Sequence, residues 1–260
     1  MSIDLLVIGK GWSGAYICSE CQQQGVSFAA TTTSGRDGTI PFAFDPDSID
    51  PESFRRLPSA KSIVITFPIT GKEIMTKFCQ FYSQTHPDTQ PAWMLLGSTG
   101  AFASNGVSNR ETPVDLSIPR VQAEECLINS YKGMILHLAG LWDKTRHPSN
   151  WIKRVAPTKD ALLLKDSLHL IHGEDVGRVV VAAVTRSEFL SGRWVVTDLQ
   201  AYDWRSVASS YSPEHAAWVR EAMILFDIPH LARPHFKRTL DSRATWQALN
   251  LTPIRTLLTQ

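Results

Sequence analysis

The sequence predicts an α/β protein in which a doubly wound parallel sheet is capped by a smaller C-terminal part. Three observations carry that expectation. Short apolar runs alternate with helix-length segments through the first half of the chain, the pattern of consecutive βαβ units. The first run ends in three glycines spaced to turn a strand into a helix. Beyond about residue 141 the regularity weakens, yet no linker composition marks a break. Residues 1–140 are therefore expected to build the sheet and 141–260 a mixed α/β cap integrated with it, since 260 residues is within reach of one core.

The elements follow in order. Ile3 to Ile8 is a nearly continuous apolar run, which suits a parallel strand covered on both faces. Ala15, Ile17, Cys18 and Cys21 then recur at helical spacing until Gly25 ends the pattern. Residues 26–32 read as the second strand, 34–38 as a glycine-bounded loop, 40–44 as a third strand and 51–57 as a short helix. A strand at 62–67, a helix at 71–84, a strand at 93–96, a helix at 119–131 and a strand at 134–138 complete the alternation. The second half reads as a hairpin at 162–171, a helix at 174–187, a strand at 194–197 and a helix at 213–226. Six of the eight tryptophans, Trp142, Trp151, Trp194, Trp204, Trp218 and Trp246, lie there, as either a second core or the wall of an apolar pocket.

The glycine turn carries the strongest chemical signal. In Gly9-Lys10-Gly11-Trp12-Ser13-Gly14, the first glycine permits the bend and the second lets the backbone approach a diphosphate. The third lets helix and strand pack closely. The following helix presents free N–H groups to phosphate oxygens, and Ser13 adds a hydroxyl. This context marks residues 1–140 as a Rossmann-type dinucleotide-binding part. At the end of the second strand, where an acidic residue would hold the ribose of NAD, stand Thr31, Thr32, Thr33, Ser34 and then Arg36, 22 residues past Gly14. Thr32, Ser34 and Arg36 suit a 2′-phosphate, so NADP is favoured over NAD. Asp45 is placed to accept from an adenine amino group, or to cap a turn. Trp12, with Phe67 and Pro68 at the end of the fourth strand, completes the expected cofactor contacts.

With these residues in view, the chain resembles the atypical, extended branch of the short-chain dehydrogenase/reductase superfamily, the epimerase-like NAD(P)-binding proteins. The resemblance rests on the glycine turn and on three further segments: 95–102 (Leu-Leu-Gly-Ser-Thr-Gly-Ala-Phe), 136–142 (Leu-His-Leu-Ala-Gly-Leu-Trp) and 170–176 (Leu-Ile-His-Gly-Glu-Asp-Val). It implies a cofactor-holding N-terminal part, a substrate-closing C-terminal part, and Ser98 and Thr99 beside the nicotinamide. The family's Tyr and Lys, an acid/base and its helper, fall here on Leu116 and Arg120. Leu cannot move a proton, and Arg binds an oxyanion without acting as an acid near neutral pH. Tyr131 lies 11 residues beyond Arg120 and reads as a packing residue. His147, in the loop after the sixth strand where a substrate should lie, is a further candidate acid or base, or else a solvated loop residue. His172 and Asp175 belong to a conformational motif in the resemblance. The implied activity is a reductase or epimerase on a small organic carbonyl or sugar-like substrate. The alternative is a non-redox NADP-binding sensor or isomerase. A homodimer follows from the family's habit.

Other classes find no support. Lys+Arg 26 against Asp+Glu 25 gives +1 with no like-charge block, so no nucleic-acid or membrane-surface footprint is visible. Apolar runs such as Val179 to Val184 are far short of the ~20 residues of a membrane span. The opening Met1-Ser2-Ile3-Asp4 has no secretory pattern, so a cytoplasmic address is expected. Cys18, Cys21, Cys79 and Cys126 are too few and irregular for a disulfide framework or a zinc site, and Asn250-Leu251-Thr252 reads as a chance glycosylation match.

Overall fold

The computed structural model describes residues 2–102, 105–225 and 236–258. Seven strands form one sheet: β1 (Ile3–Ile8), β2 (Phe28–Thr32), β3 (Ile40–Pro41), β4 (Ala60–Ile65), β5 (Ala92–Ser98), β6 (Met134–Leu138) and β7 (Gly192–Val196). Their order is β3-β2-β1-β4-β5-β6-β7, and every pairing is parallel. The chain thus runs outward from β1 in one direction and then outward from β4 in the other. The crevice beyond the carboxyl ends of β1 and β4, where the order reverses, is where such sheets bind ligands.

The helices are α1 (Trp12–Gln24), α2 (Lys72–Thr85), α3 (Pro119–Tyr131), α4 (Pro148–Val155), α5 (Lys159–Leu163), α6 (Gly173–Val184), α7 (Trp204–Tyr211), α8 (Pro213–Leu225) and α9 (Arg243–Leu249); α1, α6 and α9 pack on one face of the sheet, α2 and α3 on the other. In β1, Leu5 and Val7 join the core under α1 and α6, while Leu6 and Ile8 join the core under α2 and α3. That two-sided burial is why the strand reads as an unbroken apolar run. A third core of Trp142, Ile152, Leu162, Tyr202, Trp204 and Val219 holds α4, α5, α7 and α8 together, with Trp151 and Trp218 against it. Trp194 and Trp246 instead belong to the sheet core. Since β7 comes from the second half of the chain and pairs with β6, the cap and the sheet share strands as well as packing.

Three expectations are corrected. The hairpin at 162–171 does not form. Ser167–Leu168 pairs antiparallel with Tyr202–Asp203, whereas Leu170–His172 pairs parallel with Gly140–Trp142. The stretch Ser167-Leu168-His169-Leu170 holds no Gly, Pro, Asn or Asp to reverse the chain, so the two short strands diverge. The third strand stops at Pro41, and Phe42 and Phe44 turn into an aromatic cluster with Phe54 and Phe78. The 51–57 helix is a single 3₁₀ segment, Glu52–Arg56. The helix expected at 213–226 spans Pro213–Leu225, and Phe226 lies outside the described residues. No described helix is long and apolar enough to cross a membrane.

Candidate cofactor site

The three glycines occupy three different environments. Gly9 sits at φ +100°, and a Cβ there would lie 2.7 Å from the Thr66 hydroxyl oxygen and 3.2 Å from the Phe67 ring. Gly14 packs so closely that a Cβ would lie 2.5 Å from the Gly9 carbonyl oxygen. At Gly11 a Cβ would meet nothing within 4 Å, so the backbone there faces open space. The turn is braced from both sides: Gly9 N donates to Thr31 Oγ1 at 2.9 Å, Lys10 N to the Thr31 carbonyl at 2.6 Å, and the Thr66 hydroxyl to the Ile8 carbonyl at 3.1 Å. Gly11 is the N-cap of α1 and supplies no side-chain cap, and the first helical bond runs from Ala15 N to the Gly11 carbonyl. The N–H groups of Trp12, Ser13 and Gly14 therefore have no intrahelical acceptor. A rigid, uncapped helix end behind an open glycine fits a diphosphate.

At the end of β2, Thr32 Oγ1 and Thr39 Oγ1 lie 2.7 Å apart, and Thr39 donates to the Arg36 carbonyl at 2.6 Å. These bonds fix a loop whose Gly35, Asp37 and Gly38 all have positive φ, with Ser34 and Arg36 exposed. The Arg36 Nε lies 3.9 Å from Asp37, a solvated contact that leaves its guanidinium accessible. Asp45 accepts from Asp47 N at 2.9 Å and so caps its own turn. Phe67 borders Gly9, and Pro68 is exposed beside it.

At the end of β5, Ser98 caps a 3₁₀ turn by accepting from Gly100 N at 3.3 Å, and its half-buried hydroxyl donates to no group among the described residues. Thr99 is buried, and its carbonyl accepts from Arg238 at 2.6 Å. Leu116 is 59% exposed ahead of α3. Arg120 turns inward, donating to the Leu96 carbonyl at 2.7 Å with its Nε 3.6 Å from Glu124. Glu124 and His137 are both fully buried, 3.5 Å apart, and His137 Nδ1 donates to the Ser98 carbonyl at 2.9 Å. Burial pushes the Glu124 carboxyl up to about 7, partly opposed by Arg120 and Arg193, and pushes the His137 imidazole down to about 4. Tyr131 packs on the core beside Trp93, as expected.

Sequence reading missed a second centre on the other side of the glycine turn. Asp143, 7% exposed, accepts at Oδ1 from Thr145 N, Thr145 Oγ1 and Arg146 N (2.8, 2.7 and 2.7 Å). At Oδ2 it accepts from Trp12 Nε1 and Tyr16 OH, both at 2.8 Å. Burial alone would raise this carboxyl, but the donors outweigh it and bring it down to about 2. Burial and the bond to Asp143 raise the Tyr16 hydroxyl well above its usual value. Tyr16 fits because Gly173 and Gly177 of α6 lie against it; a Cβ at Gly173 would be 2.1 Å from its ring. His147 caps α4 through Ser149 N, and its ring meets Tyr211 edge-on, so its role here is at least structural. His172 caps α6, and Asp175 accepts from Ile254 N and Arg255 N, structural tasks both. Among the described residues no group of His, Cys, Asp or Glu is placed to hold a metal.

No protein-family model matches the chain, and no curated protein matches it. Solved structures do. A putative NAD-dependent epimerase/dehydratase from Methylobacillus flagellatus is 16% identical, with a TM-score of 0.66 over 95% of this chain and 92% of that one. MoeE5 in complex with UDP-glucose and NAD is 14% identical, with a TM-score of 0.65 over 98% and 94%. Vestitone reductase from alfalfa (Medicago sativa) is 15% identical, with a TM-score of 0.65 over 98% and 94%. The chain has the Rossmann-type fold shared by these epimerase and short-chain reductase structures.

Proposed function

We propose that the protein binds NADP(H) at the glycine turn, and that it is a reductase or epimerase for a small organic carbonyl or sugar-like substrate working without the Tyr-Lys pair. The observation that carries this reading is the open backbone at Gly11, at an uncapped helix end, with the exposed Arg36 at the neighbouring strand end. Trp12, Ser13 and Gly14 would hold the diphosphate, Thr32, Ser34 and Arg36 the 2′-phosphate, and Phe67 and Pro68 would border the dinucleotide. The cofactor supplies hydride transfer. The Ser98 hydroxyl orients a carbonyl oxygen, and residues 141–260 close over the substrate while 1–140 hold the cofactor. MoeE5, similar in fold, is recorded with UDP-glucose and NAD, which supports a dinucleotide here and leaves the 2′-phosphate to Arg36.

A second reading, a non-redox NADP-binding sensor or isomerase, is favoured by one feature. An exposed Leu116 stands where the family places its tyrosine, and Arg120 turns inward, donating to the Leu96 carbonyl with its Nε 3.6 Å from Glu124. Loss of NADPH absorbance with a carbonyl panel separates the two. The cofactor assignment is tested by titrating Arg36→Ala with NADPH and NADH. NADPH should weaken by about 1–3 kcal/mol with NADH unchanged. Equal weakening of both would remove Arg36 from the site.

A further inference from the structure

We propose that Arg146 is the cation of the diphosphate subsite, delivered there from the cap by the Asp143 latch. The inference rests on the dinucleotide reading above and adds a residue 132 positions from Gly14 in sequence.

Residues 143–146 are pinned to the first turn of α1. One carboxylate oxygen of Asp143 ties the loop to itself through Thr145 and Arg146, and the other ties it to Trp12 and Tyr16. The loop is held from behind as well: Trp151 Nε1 donates to the Arg146 carbonyl at 3.1 Å, and Asn150 Nδ2 to the Thr145 carbonyl at 3.0 Å. With its backbone fixed on both sides, Arg146 lays its guanidinium 4.6 Å from the centre of the Trp12 ring. Trp12 is the first residue of α1, next to the open Gly11. The indole is thus a platform, with its N–H on Asp143 and its face under the guanidinium.

Electrostatics gives the guanidinium its task. A dinucleotide's diphosphate carries two negative charges, whereas a helix end offers the equivalent of about half a positive one. Arg146 is exposed and has no carboxylate partner among the described residues, so its charge is available. It also borders a cleft of about 530 Å³ with Thr145, Asn150, Trp151 and Arg154, all from the second half of the chain, while its guanidinium lies over Trp12 of the glycine turn. A planar, permanently charged fork pairs with phosphate oxygens through two hydrogen bonds.

The test is calorimetric titration of wild type, Arg146→Ala, Arg146→Lys and Asp143→Asn with NADPH, NADH and ADP-ribose, with melting temperature as the fold control. All three ligands share the diphosphate. Arg146→Ala should therefore weaken all three about 10- to 100-fold and by the same factor, with Arg146→Lys and Asp143→Asn in between. This differs from Arg36→Ala, which acts on NADPH alone. Unchanged affinities in a folded Arg146→Ala protein would overturn the inference, as would a loss confined to NADPH. If the wild type binds none of the three ligands, the dinucleotide reading falls and takes this inference with it.

Discussion

Replacing Glu124 by Gln should make the protein more stable at pH 8 than at pH 5, relative to wild type. Glu124 is fully buried on α3, and neither carboxylate oxygen has a hydrogen-bond partner among the described residues. Its neighbours, Arg120 at 3.6 Å and His137 at 3.5 Å, are too far for short charge-assisted bonds. Burial therefore wins and raises the carboxyl from 4.5 to about 7. The folded state binds this proton more tightly than the unfolded chain. Its stabilisation is fully present below pH 4.5 and is lost as the pH rises through about 7. At about 1.4 kcal/mol per pH unit the whole effect is on the order of 3 kcal/mol. His137 works in the opposite direction: its contribution is present above pH 6.5 and lost as the pH falls through about 4, so wild type alone shows a muted profile. Gln keeps the shape and stays neutral. Urea unfolding of both proteins from about pH 5 to 8 should give a stability difference that shifts towards the variant by about 2–3 kcal/mol, with unchanged m-values. A difference independent of pH, or one that shifts against the variant as pH rises, would mean that Glu124 is ionised and paired in the fold.

Two further outcomes follow from the packing. Gly173→Ala should cost about 2 kcal/mol or more, read by denaturant unfolding, because its Cβ would meet the Tyr16 ring at 2.1 Å and the ring cannot move without losing its bond to Asp143; a cost near zero would show that α1 and α6 are not held this closely. The native protein should resist a thiol reagent at pH 8, since all four cysteines are buried and burial raises the thiols of Cys18 to about 11 and Cys21 to about 12. Rapid labelling before unfolding would contradict their burial.

The sheet half was legible because its signals are local. The central strands carry short apolar runs such as Ile3–Ile8 and Met134–Leu138, and the glycine roles follow from spacing within six residues. The cap was harder: α4, α5 and α7 span 8, 5 and 8 residues, too short for a helical period to stand out. The latch was illegible because its partners are 131 and 127 residues apart, and Asp143-Lys144-Thr145 alone reads as a solvated turn. The glycine pair at Gly173 and Gly177 was the one available hint, since small residues four apart on a helix allow close approach of a neighbour. Glu124 gave no signal, because a charge on a helix suggests solvent, whereas here it lies against Gly97; Arg120, expected to bind an oxyanion, donates to the Leu96 carbonyl.

Whether the glycine turn holds a dinucleotide is decided by calorimetric titration of wild type and Gly11→Asp with NADPH, NADP, NADH and NAD. Asp is a good helix N-cap, and nothing within 4 Å opposes its Cβ, so the variant should fold as wild type does. Its carboxylate would stand where the diphosphate is held. Wild type should bind the phosphorylated pair in the micromolar range and NAD and NADH more weakly, and a fully folded Gly11→Asp protein should bind none of them. Wild type that binds none of the four, or a variant that binds them as well as wild type, would contradict the assignment of this turn to a cofactor.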